Sequence, residues 1–524
     1  MYFNGRNMFS LSTLKLSKKQ ETLINVTSTL IKYIITIGIS FFLSPYIVKV
    51  LGSEANGFVN LSNNFISYFS IVIVALNGMA TRFIAIEYHK GNMQKANEYY
   101  SSLFVGDLIL VVAFSIVSGI IIWRLQYILD IPLQMVKDVK LLFSIIFVNY
   151  LITVLITIWN CATYITNRIY LESIRNVQYA IVRVLVIVAL FYFFSPKVYF
   201  LGIAIFAGQT VTNIYNMYYK YKLVPQLHVS LKMVKKDAIK DLLSSGVWNA
   251  FSRAGGLLET GLDLLLSNVL LDANTMGILS VSKSMPGIVN ELNYSLANVF
   301  LPSMVRDYAK EDKKAIVSSI KSSAKILSVI CSIPLCYLIV FGKEFYSLWQ
   351  PTLDAKLLQE LSVLTCLSYV FITGATSLLN IFTTYNKVKQ NSLSVIIMGV
   401  LSLILTIVFV KFTNLGVFAI AGISSVLNIL RFLVFVIPYS AKCLNEKWYT
   451  FYSIVFQSVV IVALSSLCGF ILKRFIICDT WVKLIFMAFL FCIISFITTI
   501  FVVLNKNERK SFMLLFQNLL SKIR

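Results

Sequence analysis

Residues 25–57 read NVTSTLIKYIITIGISFFLSPYIVKVLGSEANG, and this stretch decides the class of fold. From Asn25 to Lys49 only Lys32 and Lys49 carry charge. A helix over these residues reaches about 37 Å, enough to cross a hydrocarbon core of about 30 Å. Within it Ser28, Lys32, Thr36, Ser40 and Ser44 recur every fourth residue among Ile, Leu and Phe, so they share one helical face. Such a face turns toward protein or water, because an ammonium group left in lipid is costly.

Runs of the same kind fill the chain. Apolar spans are predicted at 25–49, 57–81, 101–123, 141–163, 176–195, 198–218, 243–269, 276–303, 322–341, 358–384, 391–410, 415–440, 449–471 and 481–504. The expectation is an all-α polytopic membrane protein with fourteen transmembrane helices, the seventh and eighth being the most polar. Composition agrees: of 524 residues 58% are hydrophobic and 13% charged, about half the charge of a soluble domain. The net charge of +23 suits a nucleic-acid binder, but the apolar content does not, so no nucleic-acid partner is expected.

The charge excess instead orients the helices. With the N-terminus inside, cytoplasmic segments hold 29 Lys or Arg and outside segments 11, as the positive-inside rule requires. An even number of helices then leaves both termini cytoplasmic. The expected organisation is a cytoplasmic N-terminal segment at 1–24, a first lobe at 25–218, a cytoplasmic linker at 219–242, a second lobe at 243–440, two further helices within 449–504 and an interfacial tail at 505–524. The linker carries Lys232, Lys235, Lys236 and Lys240 and is expected to rest on the anionic inner leaflet. The tail mixes Arg509, Lys510, Lys522 and Arg524 with Phe512, Leu515, Phe516 and Leu519, the pattern of an interfacial helix.

The two lobes read as a duplication. Val50 to Gly57 aligns with Leu270 to Gly277, Glu87-Tyr88-His89-Lys90 with Asp307-Tyr308-Ala309-Lys310, Asn160 with Asn380, and Asn167-Arg168 with Asn386-Lys387. Each half has six helices, an even number, so the repeats run parallel about an axis along the membrane normal and are expected to enclose a substrate path. A duplicated bundle without a path is the bland alternative.

Polar faces recur on the first two helices of each half. The seventh span carries Ser245, Asn249, Ser252, Gly256, Glu259, Asp263 and Ser267, with Arg253 beside Ser252. The eighth carries Lys283, Gly287, Glu291 and Asn298, and its counterpart, the second span, carries Asn60, Asn63, Asn64, Ser67 and Asn77. Lys32, Arg253, Lys283, Asn63 and Asn249 are therefore the expected substrate contacts of a central cavity. Lys283 is also placed to pair with Glu259 or Asp263, which would make it a staple between helices. Glu259, Asp263 and Glu291 are the expected sites for a coupling proton or sodium ion. Arg183, Lys325 and Arg431 read as snorkelling or interhelical cations outside that set.

Other chemistry lacks its residues. There is no Gly-x-x-x-x-Gly-Lys-Ser/Thr motif for a nucleotide motor and no Asp-x-Asp pair for a metal–nucleotide-sugar site. Cys161, Cys331, Cys336, Cys366, Cys443, Cys468, Cys478 and Cys492 have no metal-binding or disulfide spacing, and the two histidines, His89 and His228, lie in connecting segments. No cofactor or metal is expected. Outside loops are too short for an extracellular catalytic surface, so a transporter rather than an enzyme is expected.

Particular motifs add a family likeness. The run Pro45-Tyr46-Ile47-Val48-Lys49-Val50-Leu51-Gly52 leading through Glu54 to Gly57 resembles the opening of polysaccharide flippases. So do Gly78 and Arg82, Leu301-Pro302-Ser303-Met304 with Arg306, and Phe341-Gly342-Lys343-Glu344-Phe345-Tyr346-Ser347-Leu348-Trp349. These belong to the multidrug/oligosaccharidyl-lipid/polysaccharide (MOP) exporter superfamily, and the O-antigen and capsule repeat-unit flippases are the nearest match. The resemblance implies two six-helix lobes in a V shape, alternating access, a bacterial cytoplasmic membrane and an undecaprenyl-pyrophosphate-linked oligosaccharide as cargo. It further implies a polysaccharide polymerase and assembly proteins as partners, and a lipid-tail groove on helices 13 and 14. Two other functions fit the same residues: an ion-coupled extruder of organic cations, and a non-transporting scaffold of a polysaccharide assembly complex.

Overall fold

A computed structural model of the chain describes residues 18–503 apart from 78–79 and 477. Most of the expected N-terminal segment, Gly78 and the expected interfacial tail lie outside the described residues. The described residues form α1 (Lys18–Asn77), α2 (Ala80–His89), α3 (Met93–Ile128), α4 (Val136–Ile156), α5 (Cys161–Ile165), α6 (Ile169–Phe193) and α7 (Tyr199–Leu223). They continue with α8 (Lys236–Gly256), α9 (Asp263–Leu270), α10 (Ala273–Ser282), α11 (Ser284–Asn298), α12 (Leu301–Ala309), α13 (Lys313–Trp349) and α14 (Ala355–Ile372). The last are α15 (Leu379–Thr384), α16 (Val388–Phe412), α17 (Val417–Arg431), α18 (Ile437–Cys443), α19 (Tyr452–Lys473) and α20 (Trp481–Val503).

Among the described residues, ten helical stretches are long and apolar enough to cross a membrane. The difference from the fourteen expected spans is local. The first stretch, Ile31–His89, covers two expected spans and bends at Gly52, where φ 85° and ψ 165° suit only a residue without a side chain. Three further expected spans, at 198–218, 243–269 and 276–303, are helical but more polar or more broken. Breaks fall at Leu257–Gly261, a π-helical turn, and at Lys283, between α10 and α11.

The chain divides into two compact units. Unit 1 comprises residues up to Tyr46, Val72–Leu125 and Gln134–Val247, and unit 2 comprises Ile47–Ile71, Gln126–Leu133 and the chain from Trp248 onward. In unit 1, α7 packs against α4 and α6, and Ala80, Ile84, Tyr100, Ala162 and Leu242 are buried in one core cluster. The expected linker is tied to this unit: Asn97 Oδ1 accepts from His228 N at 3.0 Å, Ser101 Oγ from Ser230 N at 3.0 Å and Ser102 Oγ from Lys235 N at 3.0 Å. Three side chains at the start of α3 thus satisfy backbone that would otherwise need water. In unit 2, α13 packs against α14, α19 and α20, so the two C-terminal helices dock on the same long helix.

Local geometry repeats along the chain as the sequence does. Gly91 and Glu311 both adopt left-handed φ, at 78° and 57°. Each precedes a side-chain cap: Asn92 Oδ1 accepts from Lys95 N at 3.1 Å, and Asp312 Oδ1 from Ala315 N at 2.9 Å. Asn167 and Asn386 both have φ 54°, the position where asparagine closes a helix with least strain. Within unit 2, equivalent positions also touch: Asn60 Nδ2 donates to Ser280 Oγ at 2.6 Å across 220 positions. Beside them Gly57 lies against Gly277, whose added Cβ would fall 2.5 Å from the Ser53 carbonyl carbon.

Candidate functional site

The seventh predicted span is interrupted where its charges lie. After α8 the backbone widens into the π turn Leu257–Gly261, which carries Glu259, and α9 begins at Asp263. Such turns leave carbonyls that need other donors. Ser402 Oγ donates to Glu259 O at 3.4 Å, and Tyr68 OH to Gly261 O at 2.9 Å. The break at Lys283 is held likewise, with Ser362 Oγ donating to Ser282 O at 2.8 Å. These supports fix two irregular turns that carry ionisable side chains into the helix packing.

A cavity of about 150 Å³ opens beside them in unit 2. Glu259, Lys283, Asn290, Tyr369, Ser425 and Asn428 are among its lining residues. Lys283 Nζ pairs with Asp263 and also donates to Thr260 O at 3.4 Å. Tyr369 OH donates to Asn290 Oδ1. Glu259 is 7% exposed, and among the described residues its carboxylate takes no hydrogen bond. The charge of Arg431, 4% exposed at the end of α17, acts on Glu259, as does that of Asp263. Arg431 is held by Asn428 Oδ1 at 3.3 Å and Asn391 Oδ1 at 3.5 Å. The cavity therefore sets donors and acceptors of both charges among apolar helices.

The expected site residues separate. Glu259 and Lys283 line the cavity, and Asp263 stands behind Lys283 as its counter-ion, one of the two pairings foreseen. Glu291 and Arg253 are exposed and do not line this cavity. Asn63 is exposed and donates to Val59 O of its own helix at 3.0 Å. Lys32 belongs to unit 1, half-buried, with Nζ 4.4 Å from the Tyr33 ring centroid. Neither Lys32 nor Arg253 takes an ion pair among the described residues. The side chain of Asn249 lies outside the described residues. Ser252 binds Ser392 Oγ at 2.6 Å and so joins α8 to α16, the ordinary role of a hydroxyl between membrane helices.

Among the lining residues, Asn290, Tyr369 and Asn428 escaped the sequence reading, and Arg431, expected as a snorkelling or interhelical cation, stands behind Asn428. A signal for Asn428 exists, because Ser424, Asn428 and Arg431 recur at intervals of four and three along one face of α17. Tyr369 and Asn290 left no such pattern. All eight cysteines are free thiols, and no cluster suited to a metal ion occurs among the described residues.

Comparison with known proteins supplies the context. The chain matches the polysaccharide biosynthesis protein family over residues 22–307. It is 25% identical over 429 residues to the uncharacterized membrane protein EpsK of Bacillus subtilis (strain 168), covering 82% of this chain and 85% of that one. Among solved structures it resembles the lipid II flippase MurJ in an inward closed conformation, with TM-score 0.65 at 14% identity, over 91% of this chain and 98% of that one. It resembles an inward-facing MATE-family multidrug transporter of the MOP superfamily with TM-score 0.64 at 12% identity, over 81% and 98%. At such identities the likeness speaks for the fold. A multi-pass helical membrane protein with the fold of MOP-superfamily transporters, the chain belongs to the polysaccharide biosynthesis protein family.

Proposed function

We propose that the chain flips undecaprenyl-pyrophosphate-linked oligosaccharide repeat units across the bacterial cytoplasmic membrane by alternating access, both termini being cytoplasmic. Membership of a polysaccharide biosynthesis family and a transporter fold support this reading, and a lipid II flippase is among the structures it resembles. The observation that carries it is the polar cavity of unit 2. Hydroxyl-rich cargo sheds water only where donors and acceptors replace it. Asn290, Tyr369 and Asn428 offer such groups between apolar helices, and Lys283 adds another when its pair with Asp263 opens.

The roles follow from what each group already holds. Lys32 and Arg253, which take no carboxylate partner among the described residues, are the cations for the pyrophosphate, and Asn63 and Asn249 are sugar contacts. Lys283 is committed to Asp263, so it meets an anion only when that pair opens. Glu259 is the coupling site for a proton or sodium ion, with Asp263 and Glu291 as further carboxylates on the path. A polymerase and other assembly proteins would take up the flipped product, and no cofactor is used.

Arg253→Ala tests the phosphate role, since an exposed arginine can be removed without opening the core. Normal amounts of membrane-inserted protein with export of surface polysaccharide lowered at least tenfold is the expected result. Undiminished export sinks the assignment. Drug resistance lost on deletion, with no build-up of lipid-linked sugar, would instead favour an organic-cation extruder that uses Glu259 as its substrate contact.

A further inference from the structure

A second polar feature of unit 2 lies away from the cavity just described. Between the first turns of α13 and the start of α19 runs a groove of about 500 Å³. Lys314, Lys321 and Lys325 line it from α13, at intervals of seven and four that place them on one face over about 16 Å. Ser318 and Ser322 lie between them, and Ser453 and Gln457 face them from α19. No Asp or Glu is among the lining residues. Lys314 and Lys321 are exposed and take no ion pair among the described residues. The helix α19 begins at Tyr452 without a side-chain cap, so its positive end adds to the field beside Ser453. The groove lies beyond the residues matched by the family, 22–307.

We propose that this groove binds the phosphate of an anionic lipid headgroup, with Lys314, Lys321 and Lys325 as its cations and the serines and Gln457 as hydrogen-bond donors. Three ammonium groups with hydroxyl and amide donors and no lining carboxylate are the chemistry of an oxyanion site. Its neighbours point to lipid rather than to free phosphate. Ile326 beside Lys325 and Phe456 beside Gln457 are exposed apolar side chains, at 43% and 71%, so acyl chains find contact where the headgroup would sit. Basic pockets between membrane helices hold anionic headgroups in this manner. The inference rests on the chain being a membrane protein and is independent of the cargo proposed above.

The test titrates the full chain in detergent micelles with phosphatidylglycerol and with phosphatidylcholine, read by native mass spectrometry. Wild type is expected to retain phosphatidylglycerol over phosphatidylcholine. K314A/K321A, which removes two exposed side chains, is expected to weaken phosphatidylglycerol retention about tenfold or more. K314R/K321R is expected to retain it. Equal retention by wild type and the alanine variant overturns the proposal. So does displacement of phosphatidylglycerol by inorganic phosphate at equal concentration, which would mark a free-phosphate site. Should the variant fold poorly, a photoreactive phosphatidylglycerol on wild type decides: labelling of α13 and α19 peptides supports the site, and labelling elsewhere overturns it.

Discussion

At Lys90-Gly91-Asn92 and again at Lys310-Glu311-Asp312 the chain leaves one helix and enters the next by the same route. The middle residue is left-handed, the third caps the new helix, and the backbone bond from the third residue back to Glu87 or Asp307 is 3.0 Å in one and 3.1 Å in the other. The charged site behaves otherwise. Glu259, Asp263 and Lys283 stand 220 positions after Ile39, Leu43 and Asn63, so the first half has an apolar or neutral residue at each place. The duplicated halves agree where a turn must close its backbone bonds. They differ where ionisable side chains enter the helix packing, and under the proposed function that difference assigns ion coupling to the second half.

Substitutions made in pairs, one in each half, measure how far the two halves differ. The largest effect is expected for Lys283→Ala, which leaves Asp263 buried without its partner and costs about 3–5 kcal/mol. Asn63→Ala, at the equivalent exposed place, should stay within about 0.5 kcal/mol. Thermal unfolding in micelles measures both, and similar losses would mean that Lys283 is no more embedded than Asn63. Gly277→Ala is next. Its Cβ would meet the Ser53 backbone at 2.5 Å, whereas that of Gly57→Ala first meets the flexible Met276 Cε at 2.8 Å. The first should cost about 1–3 kcal/mol and the second less. The smallest contrast is at the turns. Gly91→Glu should cost about 1–2 kcal/mol and Glu311→Gly should recover a similar amount, because the left-handed conformation strains any side chain with a Cβ. A turn that tolerates Gly91→Glu freely would show that the shared φ is incidental.

The same contrast explains what was legible beforehand. Helices, polar faces and the duplication are written in composition and periodicity, because every span must satisfy its backbone internally and hide its polar stripe. The pairing of Lys283 with Asp263 was legible as one of two choices. The rest depended on breaks in the helices. The π turn at Leu257–Gly261 and the break at Lys283 change which residues share a face, so a uniform helical spacing leaves out Asn290, while Tyr369, on the unbroken α14, reaches the cavity through packing of α14 against α10 and α11. Arg431 reads as a cation in a span with Asn428 three residues before it on the same helix, but Asn391 reaches it through packing of α16 against α17 that no single span records.

Under the proposed function the chain moves a lipid-linked oligosaccharide across the membrane. The most direct test reconstitutes the purified chain in liposomes that carry such a lipid, with a sugar-cleaving reagent outside, and follows the fraction of lipid that becomes accessible with time. Access is expected to rise well beyond the half initially facing outward when the protein is present, and to slow at least tenfold for Glu259→Gln. Access equal to that of protein-free liposomes, with the chain folded and inserted, would mean that the chain does not flip this lipid.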